Sequence, residues 1–84
     1  MIESKIKEIL KELSNQNIEN INMTLAIDLG LDSLQMVTLL ILIEDAFEIE
    51  LAEADMDPFS LITVEDVISL VQNYLTAIEG EEDD

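Results

Sequence analysis

Asp32, Ser33 and Leu34 sit inside the stretch DLGLDSLQMV at 28–37, where a glycine-bearing acidic turn gives way to an apolar run. In a chain with no cysteine, histidine or arginine, a hydroxyl at that junction needs a purpose. A handle for a covalently attached group fits. Catalysis by the chain itself is not indicated. Histidine and cysteine are absent, and the carboxylates read as a solvated surface rather than a positioned acid–base pair. No catalytic residue and no metal-ligand set is assigned.

The elements around Ser33 follow from periodicity. Asp32 suits the N-cap of a helix opening at Ser33, because its carboxylate can accept from the unpaired amides of the first turn. Gln35, three residues later, can answer back as in a capping box. Gly30 fits the tight approach turn, and the helix should run to about Phe47 or Glu48. Before it, Ile2, Ile6, Ile9, Leu10 and Leu13 line one face of an amphipathic helix that the polar run SNQN at 14–17 ends. The connection that follows is long for a structureless loop and should be pinned by Ile18, Ile21, Met23, Leu25 and Ile27. After the second helix, Pro58 is expected to open a short helical turn. A last helix starts at a Thr63–Asp66 cap pair, with an apolar face of Val64, Val67, Ile68, Val71, Tyr74, Leu75 and Ile78. Gly80 should close it. The expected fold is all-α, a small bundle of three main helices plus one short helix, with a domain at 1–78 and an acidic flexible tail at 79–84.

Composition narrows the partners. Twenty acidic residues face three lysines, Lys5, Lys7 and Lys11, for a formal net charge of −17 over 84 residues. Nucleic acid and anionic membranes require a positive surface, so both are excluded as partners. Enzymes with basic patches are favoured, with association that weakens as salt rises. The acidity also serves solubility. The longest apolar run, LLILI at 39–43, is too short to insert in a bilayer, and MIESKIKEIL lacks the continuous apolar core of a signal peptide. A monomer in the cytoplasm is the expectation.

The second helix carries two apolar faces. At 100° per residue, Met36, Leu39, Leu40, Ile43, Ala46 and Phe47 share one sector, which is a sufficient core face. Leu34, Val37 and Ile41 fall on the opposite side with Thr38, Glu44, Asp45 and Glu48. Either the long loop folds over that stripe, or the stripe stays exposed beside Ser33 with a rim of carboxylates. Such a rimmed apolar stripe is what a docking site looks like, so Leu34, Val37, Ile41, Glu44, Asp45 and Glu48 form the candidate docking set.

At these residues the sequence resembles the acyl carrier protein family, the phosphopantetheine-bearing carrier domains. The match rests on DLGLDSL at 28–34, extends through the helix to EDAF and includes ITVEDVISLV at 62–71, so that it covers residues 2 to about 78 in family order. A lone DSL is a weak signal; DxGxDSL opening a second helix in an acidic chain of this length is a strong one. The resemblance implies that Ser33, flanked by Asp32 and Leu34, accepts 4'-phosphopantetheine from coenzyme A as a phosphodiester, through a separate Mg-dependent phosphopantetheinyl transferase. A phosphodiester there would lie near unpaired amides and the positive end of the helix dipole. The arm's thiol would explain thioester work by a chain without cysteine. The implied function is a non-catalytic carrier that presents acyl thioesters to acyl-loading and acyl-processing enzymes of fatty-acid or polyketide-type biosynthesis. The scarcity of aromatics suggests a pliable core able to shelter an acyl chain, although aliphatic cores are usually simply packed.

Three features depart from the housekeeping fatty-acid carriers. Gln35 and Thr38 stand where those carriers usually have acids, and Leu31 where alanine is common. The segment from Phe47 to Leu61 is about two residues longer, counted against the resemblance. Specialised-pathway carriers show similar features. An aminoacyl, peptidyl or D-alanyl carrier would use the same arm with other cargo. A helical calcium-binding or adaptor module is a remoter alternative. Asp28 and Asp32 occupy the first and fifth places of a calcium-loop pattern, but Leu39 stands where the bidentate acid is needed.

Overall fold

A computed structural model describes the backbone of residues 2–57 and 59–82, and side chains as far as Ala77. Three α-helices dominate, α1 at Ile2–Ser14, α2 at Ser33–Phe47 and α3 at Val64–Glu82, with a short 3-10 helix at Glu53–Asp55. No β-strand forms among the described residues; a single antiparallel bridge joins Thr24 to Thr63. The fold is the small helical bundle expected from periodicity.

Each helix buries the face its spacing marked. On α1, Ile6 and Leu10 are fully buried, with Ile2, Ile9 and Leu13 packed at the margin. Met36, Leu39, Leu40 and Ile43 are the buried residues of α2, and Val64, Val67 and Val71 those of α3. Ile68, Tyr74 and Leu75 pack against that core, while Ile78 lies beyond the described side chains. Helix α1 packs on both α2 and α3.

The helix ends are chemically specified. Ser14 Oγ donates to Leu10 O at 2.7 Å, and Asn15, at φ 57°, donates its amide to Lys11 O, so α1 stops where the polar run begins. Helix α2 ends at Glu48 in the left-handed conformation, φ 52°, with its amide on Glu44 O. Into α3, Thr63 and Asp66 form the reciprocal pair that the sequence suggested. The Asp66 amide donates to Thr63 Oγ1, and the Thr63 and Ile62 amides donate to Asp66 Oδ2 at 3.0 and 2.9 Å. Those two amides, Thr63 first, hold the Asp66 carboxyl below the usual carboxylate range, against a small opposing effect of burial.

Two expectations are corrected. Ile27 does not anchor the first long loop, being 85 % exposed; buried Leu25, Leu29 and Leu31 do, with Ile18, Ile21 and Met23 half-buried beside them. Leu25, Ile18, Ile21 and Met23 are anchors as expected, whereas Leu29 and Leu31, two residues apart in a folded loop, follow no helical periodicity that could select them. A short 3-10 helix forms at Glu53–Asp55, and the turn expected to open at Pro58 lies outside the described residues. Helix α3 runs through Gly80 to Glu82 instead of closing at that glycine. A single glycine costs a helix about 1 kcal/mol, a penalty the preceding turns can carry.

The carrier site at the start of the second helix

Ser33 is the first residue of α2, and its side chain is exposed. Asp32 precedes it in extended conformation and closes a full capping box: Gln35 N donates to Asp32 Oδ1 at 2.8 Å, and Asp32 N donates to Gln35 Oε1 at 3.2 Å. The amides of the first helical turn have no intrahelical acceptor, so the positive end of α2 opens beside the serine hydroxyl. Asp32 therefore acts on Ser33 by fixing the turn that presents it.

The approach to Ser33 is built by the DLG triplet. Asp28 Oδ2 accepts from Thr24 N at 2.8 Å and from Thr24 Oγ1, while Asp28 N donates to Thr24 Oγ1 at 3.0 Å, closing a five-residue loop. Gly30 then takes φ 68°, where an L side chain is strained. That reversal lets Leu29 and Leu31 both point into the core, with Leu31 N donating to Leu25 O at 3.0 Å. The loop is stitched in turn to the start of α3, through Leu25 N to Ile62 O and Val64 N to Met23 O. Asp28 and Asp32 each spend a carboxylate oxygen on the chain's own amides, the opposite of a calcium-loop arrangement.

The second face of α2 is open. Leu34 is 75 % exposed, Ile41 53 % and Val37 39 %, so the long loop does not cover the stripe. Asp45 and Glu48 are exposed at its edge, whereas Glu44 is half-buried. Glu44 Oε2 accepts from Leu51 N at 2.8 Å and so holds the chain leaving α2. This role separates Glu44 from the other two acids of the candidate docking set.

On the other side of Ser33 a pocket of about 240 Å³ enters the bundle. Leu25, Ile27, Leu31, Met36, Phe59 and Ile62 supply most of its apolar lining, and Thr24, Asp32 and Ser33 its polar members. Ile27, Phe59 and Ile62 are largely exposed. The sequence reading missed this pocket because its walls come from three separated segments, the loop at 24–27, the start of α2 and the stretch at 59–62.

Together, a helical bundle, an exposed serine on a capped helix start and an adjoining apolar pocket are the build of a small carrier domain. A family profile described as the phosphopantetheine attachment site matches residues 4–71. The acyl carrier protein of Buchnera aphidicola subsp. Schizaphis graminum is 36 % identical over 74 residues, which span 86 % of this chain and 91 % of that protein. That of Desulforapulum autotrophicum is 36 % identical over 74 residues, spanning 84 % and 94 %. The crystal structure of an acyl carrier protein from Thermotoga maritima superposes with a TM-score of 0.72 at 25 % identity, covering 93 % of this chain and 95 % of that one. The chain belongs to the acyl carrier protein family, and its prosthetic group is 4'-phosphopantetheine.

The residues at the start of α2 suit that group. A phosphodiester on Ser33 would lie at the unpaired first-turn amides, and an apolar extension of the arm would find the pocket beside it. The group supplies a terminal thiol on which cargo is held as a thioester.

Proposed function

We propose that Ser33 is the attachment point and that the cargo is an aliphatic acyl group, passed among enzymes of fatty-acid or polyketide-type biosynthesis. The observation that carries this reading is the apolar pocket opening against Ser33. Among the described residues its walls hold no basic group and one acid, Asp32, which is engaged in the cap. An aliphatic chain gains from leaving water there, while the ammonium of an aminoacyl group would lose hydration without a dedicated counter-charge. This favours an acyl over an aminoacyl carrier.

In this reading the chain is non-catalytic. The Ser33 hydroxyl gives its proton to a base on the transferase and attacks the pantetheine-side phosphorus of the coenzyme A pyrophosphate, so that the P–O bond to adenosine 3',5'-bisphosphate breaks, that bisphosphate leaves and the serine oxygen becomes the ester oxygen. Asp32 and Leu34 flank it, the first fixing the turn and the second offering an apolar contact. Partner enzymes dock on Leu34, Val37 and Ile41, with Asp45, Glu48 and the exposed edge of Glu44 meeting basic side chains. The carrier works as a monomer in the cytoplasm. No helix among the described residues is long and apolar enough to cross a membrane.

The test is intact mass. The apo chain incubated with coenzyme A, Mg and a broad-specificity transferase should gain one phosphopantetheine, and Ser33→Ala none. An unmodified wild type under conditions that load a control carrier refutes the attachment. Protein recovered from its native host carrying an amino acid rather than an aliphatic acyl group refutes the cargo assignment.

A further inference from the structure

Both the oxygen and the nitrogen of the Gln35 side-chain amide are engaged within the fold. Its Oε1 accepts from Asp32 N at 3.2 Å, as a capping box requires. Its Nε2 does something a capping box does not require: it donates to Leu13 O, in the last turn of α1, at 3.1 Å. The last carbonyls of α1 have no intrahelical donor, so one side chain satisfies the end of one helix while capping the start of the next. The backbone amide of Gln35 adds the bond to Asp32 Oδ1 at 2.8 Å. Ser33 lies between the two residues so joined. A second amide acts in parallel, since Gln16 Nε2 donates to Leu29 O at 3.3 Å and ties the residues just past α1 to the turn leading into α2.

We infer that Gln35 is a positioning residue for Ser33, fixing the turn that carries the hydroxyl against the end of α1 so that a transferase meets it in one orientation. The inference rests on the reading of Ser33 as the attachment point. Only a carboxamide of this length serves both bonds. Glutamate keeps the acceptor for Asp32 N but has no donor for Leu13 O, and it sets a second negative charge beside Asp32. Alanine loses both bonds.

The full chain is compared with Gln35→Glu, Gln35→Ala and Ile68→Val, the last a mild core change on α3 away from the site. Phosphopantetheine transfer from coenzyme A is followed with kcat and KM for the carrier resolved separately, at a temperature where circular dichroism shows all four folded. Amide exchange at residues 35 and 36 is read alongside. Both Gln35 variants should lose on the order of tenfold in kcat, the scale of a slightly misplaced reacting group, whatever their KM. Exchange at 35 and 36 should rise in both, and Ile68→Val should keep the wild-type kcat. If Gln35→Glu retains wild-type kcat and exchange, the link to Leu13 is dispensable and the inference falls. It also falls if Ile68→Val loses kcat as the Gln35 variants do, because the effect then follows stability alone. Should Gln35→Ala fail to fold, Gln35→Glu decides. A wild type that accepts no phosphopantetheine refutes the attachment reading, and unchanged exchange at 35 and 36 in the variants separately refutes the link.

Discussion

Leu34 and Leu40 are the same residue type on the same helix, six positions apart, and the same substitution should have opposite consequences at the two. Leu40 is fully buried, so Leu40→Ala removes its transfer free energy and leaves a cavity, together about 2–5 kcal/mol. Leu34 is 75 % exposed. Burying a leucine fully is worth about 1.5–3 kcal/mol, so the remaining quarter contributes about 0.5 kcal/mol. The higher helix propensity of alanine offsets about 0.2 kcal/mol of that loss. In a domain of this size 1 kcal/mol moves the Tm by about 4–8 °C. Leu40→Ala should therefore lower the Tm by at least about 8 °C, and Leu34→Ala by less than about 3 °C. The order reverses in a transfer assay with a phosphopantetheinyl transferase. Leu34→Ala truncates an apolar contact beside Ser33 and should raise the KM for the carrier about fivefold, corresponding to about 1 kcal/mol. Folded Leu40→Ala should keep the wild-type KM. Circular-dichroism melts and the transfer assay decide it. A Leu34→Ala melt as low as that of Leu40→Ala refutes the open stripe, and an unchanged KM refutes docking through it.

The remaining predictions address charge, caps and the chain after α2. With a net charge of −17 and Lys7–Glu3 the one ion pair among the described residues, added salt should raise the Tm by screening self-repulsion; calorimetry from low to moderate ionic strength checks this. Asp66→Ala should cost about 1 kcal/mol at neutral pH, because it removes the acceptor for the Ile62 and Thr63 amides. The Asp66 carboxyl is held below its unfolded value, so its contribution is present above the ordinary carboxylate range and lost as the pH falls through the folded value. Denaturant melts of wild type and Asp66→Ala should accordingly converge in acid. Tyr74 OH donates to Asp55 and accepts from Ala52 N at 2.7 Å, so Tyr74→Phe should cost about 1 kcal/mol and speed amide exchange near 52–56. The bond to Asp55 chiefly raises the Tyr74 hydroxyl above its ordinary value, favouring the neutral form, and the bridge should be lost only as the pH rises through that value. Glu48→Gly should stabilise the fold by up to about 1 kcal/mol, read in a thermal melt as a Tm rise of up to about 8 °C, since φ 52° is strained for glutamate and free for glycine.

By itself the sequence determined what depends on neighbours within one or two helical turns. The capping box at Asp32 and Gln35, the pair at Thr63 and Asp66, and the buried faces of all three helices are local consequences of side-chain spacing and of which groups can accept a first-turn amide. The exposure of Leu34, Val37 and Ile41 was nearly as legible, because a small bundle has one interior and α2 offered two apolar faces. Tertiary structure decided whatever required distant segments to meet. Leu29 and Leu31 outcompeted Ile27 for the core because Gly30 reverses the chain between them. Glu44 became an internal acceptor when Leu51 folded back onto it, and Gln35 a link between helices when α1 ended beside α2. The pocket at Ser33 exists only because the segment at 59–62 is hydrogen-bonded to the loop at 23–25, a contact across nearly 40 residues that no local periodicity encodes.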